Sequence, residues 1–307
     1  MKTLDVVSVG EPMVEFNAVP GEPGRYLQGF GGDTMNALIA AARQGARTAY
    51  LTRIGDDAFG SLLLDLWATE GVDVSAVAVD AGAPTGIYFV THGPAGHVFT
   101  YRRAGSAASR LCPASLPRQP IAAARFLHLS GITQAISSTA CDAAFAAVEC
   151  ARAADTRVAY DPNLRLRLWS LGRARAVIRE TASLADHFLP SLEDGRVLSG
   201  EDDPEAVLDW ALATGARRVV LKLGADGAVT SDGRKTLRIP ATSARAVDAT
   251  GAGDCFAGTY LARLAAGDTV EGALRYAACA AAMACEGFGA VAPIPRPEAV
   301  RARMAGA

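Results

Sequence analysis

The sequence predicts an α/β fold: a mostly parallel central sheet with helices on both faces and a small additional β-sheet, in one domain over residues 1–307. Three observations predict it. Short β-branched runs alternate with longer stretches whose apolar residues recur at helical spacing, as βαβ units do. Residues 86–103 break that rhythm with two strand-like arms around Gly93-Pro94-Ala95-Gly96, an antiparallel hairpin outside the main layer. Half of the 307 residues are apolar, enough for one large core.

The elements follow in order. Leu4 to Val9 reads as a strand, and Met13 to Ala18 and Tyr26 to Phe30 read as strands of the small sheet. Asp33 to Gln44 is a helix with Asp33 as its cap and Gly45 as its stop. Thr48 to Ile54 is a strand. Asp57 caps a helix to Glu70, with Phe59, Leu62, Leu63, Leu66 and Trp67 on its apolar stripe and Gly71 ending it. After the hairpin, 104–120 is the one long irregular stretch. Strands at 125–130, 157–161 and 187–190 then alternate with helices at 138–154 and 172–184. Helices at 193–198 and 204–213 precede strands at 217–223, 228–231 and 235–240, and helices at 251–266 and 270–286 close the fold.

Thirty basic against thirty-two acidic side chains leave a formal charge of −2, so no net field gathers nucleic acid or an anionic membrane. The apolar run from Ala277 to Cys285 is far shorter than the ~20 residues that span a bilayer. Residues 1–10 lack the long apolar stretch of a secretion signal, which favours a cytoplasmic protein. Cys112, Cys141, Cys150, Cys255, Cys279 and Cys285 form no C-x-x-C pair and read as reduced thiols. His92, His97, His128 and His187 are scattered, so a zinc or Cys-His enzyme is disfavoured. No G-x-x-x-x-G-K-[ST] is present, which excludes a P-loop.

The strongest local signal is Val247-Asp248-Ala249-Thr250-Gly251-Ala252-Gly253-Asp254. Its glycines let the backbone approach a ligand, and the following helix aims its unpaired amides and positive dipole end at the same place. Asp254, in the first turn, has two readings. It is a cap for its own helix, or it is a base that accepts a hydroxyl proton while the amides of Ala252 and Gly253 steady a transferring phosphoryl group.

This segment resembles the second signature of the ribokinase-like (PfkB) carbohydrate kinases, and further stretches agree along nearly the whole chain. Gly31-Gly32-Asp33-Thr34-Met35-Asn36 matches the family's sugar motif, which implies that Gly32, Asp33 and Asn36 meet sugar hydroxyls. Gly55 to Gly60 is similar to its G-x-D-x-x-G turn, read as structural. Val220 to Gly227 is similar to its nucleotide loop, which implies that Lys222, Gly224, Ala225, Asp226 and Gly227 lie along ATP. Against that stand a plain Asp-Gly turn and a lysine that snorkels from a strand end to water.

Within the family, Gly10-Glu11-Pro12-Met13-Val14-Glu15, Gly29 to Thr34, Gly131 to Ala135 and Asp161-Pro162-Asn163-Leu164-Arg165-Leu166-Arg167-Leu168-Trp169 look like 2-keto-3-deoxygluconate kinases. The resemblance implies ATP and Mg2+ as the nucleotide and its metal, with Asn163 and Ser191 on the nucleotide. Arg165 serves either sugar or phosphate. Physical reasoning adds that Tyr101 and Arg103, two apart on a strand, share a face, with Tyr88 on the neighbouring arm. Arginine's planar fork suits a sugar carboxylate, so Arg103 is the candidate for it; the alternative is an exposed arginine bonded to water.

The chain also departs from the family pattern. Ser191-Leu192-Glu193-Asp194 stands where many relatives have Asn-x-x-Glu, so Glu193 or Asp194 substitutes in holding magnesium-bound water. A potassium ion at Asp248 and Thr250 is allowed by the resemblance, although Ala249 replaces the commoner threonine. The expected enzyme is a kinase acting on the terminal hydroxyl of a keto-deoxy sugar acid, with the small sheet (12–30 and 85–104) as a lid that excludes water. Its exposed apolar face suggests a homodimer through the lid. A fructokinase or other neutral-sugar kinase is the runner-up, and a non-catalytic sugar sensor is the rival from another class.

Overall fold

The computed structural model describes residues 2–19, 21–93 and 96–306, the side chain of His97 apart. Pro94 and Ala95, the tip of the expected hairpin turn, lie outside the described residues. The first part of the chain forms β1 (Leu4–Val9), β2 (Met13–Ala18), β3 (Tyr26–Gly31), α1 (Asp33–Arg43), β4 (Thr48–Leu51), β5 (Arg53–Gly55), α2 (Ala58–Glu70), β6 (Ala78–Asp80), β7 (Gly86–Gly93) and β8 (Gly96–Arg102). Then come α3 (Arg118–Ala123), β9 (Ala124–Ser130), α4 (Gly131–Ala135), α5 (Ser138–Ala153), β10 (Arg157–Asp161), α6 (Leu171–Ser183), β11 (His187–Phe188), α7 (Leu192–Ser199) and α8 (Pro204–Ala213). The chain ends with β12 (Val219–Lys222), β13 (Ala228–Ser231), β14 (Thr236–Ile239), α9 (Ala252–Ala265), α10 (Val270–Ala284) and α11 (Pro297–Ala305).

Eight strands make the main sheet in the order β14-β13-β12-β11-β10-β9-β1-β4, parallel from β4 to β12 and antiparallel at β13 and β14. Alternation along a strand feeds two cores. Val6 faces the layer of α1, α9 and α10, while Val7 and Val9 face the layer of α5, α6 and α8. From β1 the chain continues to β4 on one side and later to β9 on the other. The crevice outside the carboxyl ends of β1 and β9 is therefore a topological switch point, where ligands bind in such sheets.

The second sheet, β3-β2-β7-β8, stands beside the carboxyl ends, with β2 and β7 parallel and the outer pairs antiparallel. It is less isolated than its sequence suggests. Val14, Phe16, Phe30 and Ile87 pack into the α1–α9 core, and Phe16 meets Phe59 of α2 edge to face at 5.9 Å. The opposite face carries Met13, Tyr88, Val90, Phe99 and Tyr101. Among the described residues of this sheet, Tyr26, Leu27 and Val98 are the large apolar side chains left well exposed.

Several boundaries depart from expectation for identifiable reasons. The single strand expected over 48–54 is cut at Thr52, whose hydroxyl donates to the carbonyl of Gly10 (2.6 Å), and β5 leaves to pair with β6. The N-cap of α1 is Gly32, not Asp33; at φ 119° it takes a conformation open to glycine, and a Cβ there would lie 2.4 Å from the carbonyl oxygen of Glu11. The stretch 104–120 holds two 3-10 turns, Ala107–Arg110 and Pro113–Ser115, and the start of α3. The α11 helix was not expected; its one buried residue is Val300. Among the described residues no helix is long and apolar enough to cross a membrane, and all six cysteines are free.

One helix contact positions the site. α1 and α9 pack backbone to backbone at Gly258, where a Cβ would lie 1.8 Å from the carbonyl oxygen of Ala37. Gly258→Ala gains at most about 1 kcal/mol of helix propensity and forces the helices apart at a cost of about 3 kcal/mol. We expect a net fall in Tm of several degrees, measurable by calorimetry.

Candidate active site

A cavity of about 750 Å3 lies between the carboxyl ends of the parallel strands and the inner face of the small sheet. Its central group is Asp254. Gly251, at φ 75°, caps α9 and puts Asp254 in the first turn. The carboxylate does not cap its own helix; Oδ2 accepts from the Asn36 side-chain amide at 2.8 Å and Oδ1 from that of Asn163 at 3.5 Å. Burial, then the nearby charge of Asp33, raises its pKa to about 8, against the opposing hydrogen bond from Asn36 and the charge of Lys222. A carboxyl so placed takes up a proton readily near neutrality, as a general base requires.

Asn163 organises the carboxylates. Its backbone is left-handed (φ 33°), which asparagine tolerates, and its amide N–H donates to Asp161 Oδ1 at 3.1 Å. The side-chain amide then donates to Asp33 Oδ2 (3.2 Å) as well as to Asp254. Expected on the nucleotide, it sits instead between Asp33 and Asp254. Asn36 is buried, and its Oδ1 has no hydrogen-bond partner. A hydroxyl donor from a ligand would satisfy it.

Lys222 departs from expectation too. It does not snorkel; its ammonium is bound to Asp161 Oδ2 at 2.5 Å, within 3.4 Å of where a Cβ on Gly253 would lie. Burial works to lower its pKa, yet Asp161, joined by the charges of Asp254 and Asp194, raises it and holds the ammonium charged. Asp161 itself, at the carboxyl end of β10, was quoted in a motif but not placed in the site; its strand-end position was the available signal.

The glycine-lined start of α9 offers fewer open amides than the sequence implies. The amide of Ala252 turns back onto the carbonyl of Ala249 at 3.2 Å, and Ala252 does not line the cavity. Gly251 and Gly253 do, and no protein group accepts from the Gly253 amide among the described residues. Of the turn after β12, Gly224 lines the cavity, whereas Ala225 and Asp226 are exposed and are not part of its lining. Gly227 serves the turn, at φ 87° with a Cβ position 2.1 Å from the carbonyl oxygen of Ile239.

Ser191 lines the cavity and caps α7, its Oγ accepting from the Asp194 amide at 3.0 Å. Glu193 and Asp194 line it from the first turn of α7, and burial, with Asp161 adding, raises Asp194 to about 6. Among the described residues no three His, Cys, Asp or Glu side chains could hold a metal ion directly. That donor set suits magnesium, which keeps several of its waters and borrows one or two carboxylates. Asp248 does not line the cavity. Its Oδ1 accepts from the Thr250 amide (2.9 Å) and hydroxyl (2.6 Å) and its Oδ2 from the Gly289 amide (3.0 Å), while Thr250 does reach the cavity.

The cavity is also lined by Tyr88, Tyr101, Arg103, Arg165 and, unforeseen, Arg167. The Tyr88 hydroxyl donates to the buried Glu15 carboxylate at 2.5 Å. Arg103 is not exposed; its side chain is 10% accessible. Its Nε donates to Glu11 at 2.7 Å and its Nη2 to the same carboxylate, a partner 92 residues away that local pattern does not reveal. Arg165 bonds the carbonyl of Leu164 (2.9 Å) and is otherwise exposed.

Residues 3–297 match the pfkB family carbohydrate kinase model. The chain is 37% identical to a 2-dehydro-3-deoxygluconokinase of Thermoproteus tenax, over 91% of this chain and 88% of that protein. A solved PfkB protein from Polaromonas sp. JS666 superposes with a TM-score of 0.88 at 34% identity, covering 99% of this chain and 100% of that one. A putative ribokinase II from E. coli in complex with ATP and Mg2+ superposes at 0.90 and 25% identity, over 98% and 99%. The chain belongs to the pfkB family of carbohydrate kinases.

Proposed function

We propose that this chain transfers the γ-phosphoryl group of ATP to the terminal hydroxyl of 2-keto-3-deoxygluconate, giving the 6-phosphate and ADP. The observation that carries the reading is one cavity lined both by a buried carboxyl, Asp254, and by three arginines, Arg103, Arg165 and Arg167. The terminal oxygen attacks phosphorus, its proton passes to Asp254, and the bond from phosphorus to the β,γ-bridging oxygen breaks. Asn36 and Asn163 hold the Asp254 carboxylate in place. Asp33 and Asn36 meet sugar hydroxyls, while Tyr88 and Tyr101 wall the sugar.

Lys222, Gly224, Ser191 and the Gly253 amide face the phosphates, where their positive charge and open donors steady the transferring group. Magnesium, when bound, neutralises charge on the phosphates, and Glu193 and Asp194 are the residues that would hold it through water. A potassium ion near Asp248 and Thr250 would have to share oxygens already bonded to amides and a hydroxyl. We place the activity in the cytoplasm, where ATP is at hand and free thiols stay reduced.

One observation favours a second reading, a fructokinase-like enzyme: Glu11 already neutralises Arg103. ADP release with a panel of keto-deoxy acids and hexoses decides. Stimulation by the acid supports the proposal, and stimulation by fructose alone replaces it with the runner-up. Silence with every sugar leaves the sensor. We also propose a homodimer through the outer end of the small sheet, where Tyr26, Leu27 and Val98 are exposed. Light scattering should give twice the chain mass at micromolar concentration, and a monomer overturns this.

A further inference from the structure

We infer that Glu11 is a positioning residue for sugar-acid selectivity: it holds the Nε and Nη2 edge of Arg103 and leaves Nη1 for the substrate carboxylate. The inference rests on the proposed sugar-acid substrate. Glu11 follows β1 at the carboxyl edge of the main sheet, and its side chain is 1% exposed. Both its oxygens are used. Oε2 accepts from Nε and Nη2 of Arg103, and Oε1 accepts from the Ser106 hydroxyl at 2.5 Å.

The surroundings give this carboxylate nowhere to swing. A Cβ on Gly86, the first residue of β7, would lie 2.9 Å from Oε1. Ser106 is itself fixed, its amide donating to the Arg103 carbonyl at 3.1 Å and its Oγ accepting from the Ser109 amide at 3.3 Å. The carbonyl of Glu11 abuts Gly32, in the turn that delivers Asp33 to the cavity. One residue thus joins the end of β8, the start of β7 and the sugar-facing turn.

The chemistry follows from the guanidinium. A free arginine has about 2 kcal/mol of rotamer entropy to lose on binding an anion; here Glu11 has already fixed the side chain. With Nε and Nη2 engaged, Nη1 carries no hydrogen bond to protein among the described residues, and Arg103 lines the cavity. A ligand carboxylate can meet the fork only at its Nη1 end, which sets one approach direction. A residue acting in this way changes discrimination between acid and neutral sugars and acts wholly through Arg103.

The test is a double-mutant cycle on the full-length enzyme, with 2-keto-3-deoxygluconate as substrate and its neutral analogue lacking the carboxylate as competitor. In Glu11→Gln the ratio of kcat/KM for the acid to the affinity for the neutral analogue should fall about tenfold, the equivalent of one good hydrogen bond. Glu11→Asp should recover part of the loss. In an Arg103→Ala background Glu11→Gln should change the ratio no further. An unchanged ratio in Glu11→Gln, or effects of the two substitutions that multiply, overturns the inference alone. Should Glu11→Gln not fold, Ser106→Ala carries the test: a smaller fall in the same ratio, absent without Arg103, supports the inference, and no fall overturns it. A wild-type enzyme that phosphorylates no sugar acid overturns both this inference and the reading beneath it.

Discussion

Asp254→Asn should lower kcat by about three orders of magnitude, the usual worth of a general base, while binding of the sugar acid measured by calorimetry is largely retained. Asparagine keeps an oxygen to accept from Asn36, so the pocket stays closed around the same contacts. The pH dependence provides an independent check. With a pKa raised to about 8, the free enzyme carries the active, deprotonated carboxylate in increasing amount as pH rises through that value. Wild-type kcat/KM should climb towards a plateau above about pH 8, and the variant should lack the climb. The same shift bears on stability with a definite sign. A carboxyl whose folded pKa exceeds its unfolded value of 3.8 contributes stability fully below about pH 4 and loses it as pH rises through about 8. The asparagine variant should therefore melt with the wild type near pH 4 and above it at pH 9. Near-normal turnover would reduce Asp254 to part of the wall.

Arg103→Ala should raise KM for the sugar acid about 30- to 100-fold, the loss of roughly 2–3 kcal/mol of charge-assisted hydrogen bonding, and should affect the neutral analogue far less. It should also lower Tm, because Glu11 would be left as a buried carboxylate with only Ser106 for a partner. Activity assays against both sugars separate these effects, since lost stability alone would penalise the two equally. Equal penalties would remove Arg103 from carboxylate recognition.

What the sequence made legible followed from local chemistry. The alternation of strand and helix, the Asp57 cap bonded to the Gly60 amide at 2.8 Å, and the glycine-lined start of α9 are written in consecutive residues. Tyr101 and Arg103 reach one cavity because strand periodicity alone puts them on one face. The misreadings were of partners brought from afar. Lys222 finds Asp161 across 61 positions and Arg103 finds Glu11 across 92, so an expectation built on typical exposure of lysine and arginine had no means of seeing either pair. Asn163 was expected on the nucleotide, and its bonds to Asp33 and Asp254, 130 and 91 residues away, were out of sight for the same reason. At α11, one buried valine is too little pattern for a helix to be recognised.

The missing side chain at Gly258 has a wider meaning for turnover. Because the two helix backbones touch there, Asp254, the proposed proton acceptor, and Asp33 and Asn36, the proposed sugar contacts, are mounted on one rigid jig. Differences between acceptors have to be written elsewhere, chiefly in the side chains of Tyr88, Tyr101 and Arg103. Altered preference should thus be engineered in that wall, leaving the jig alone.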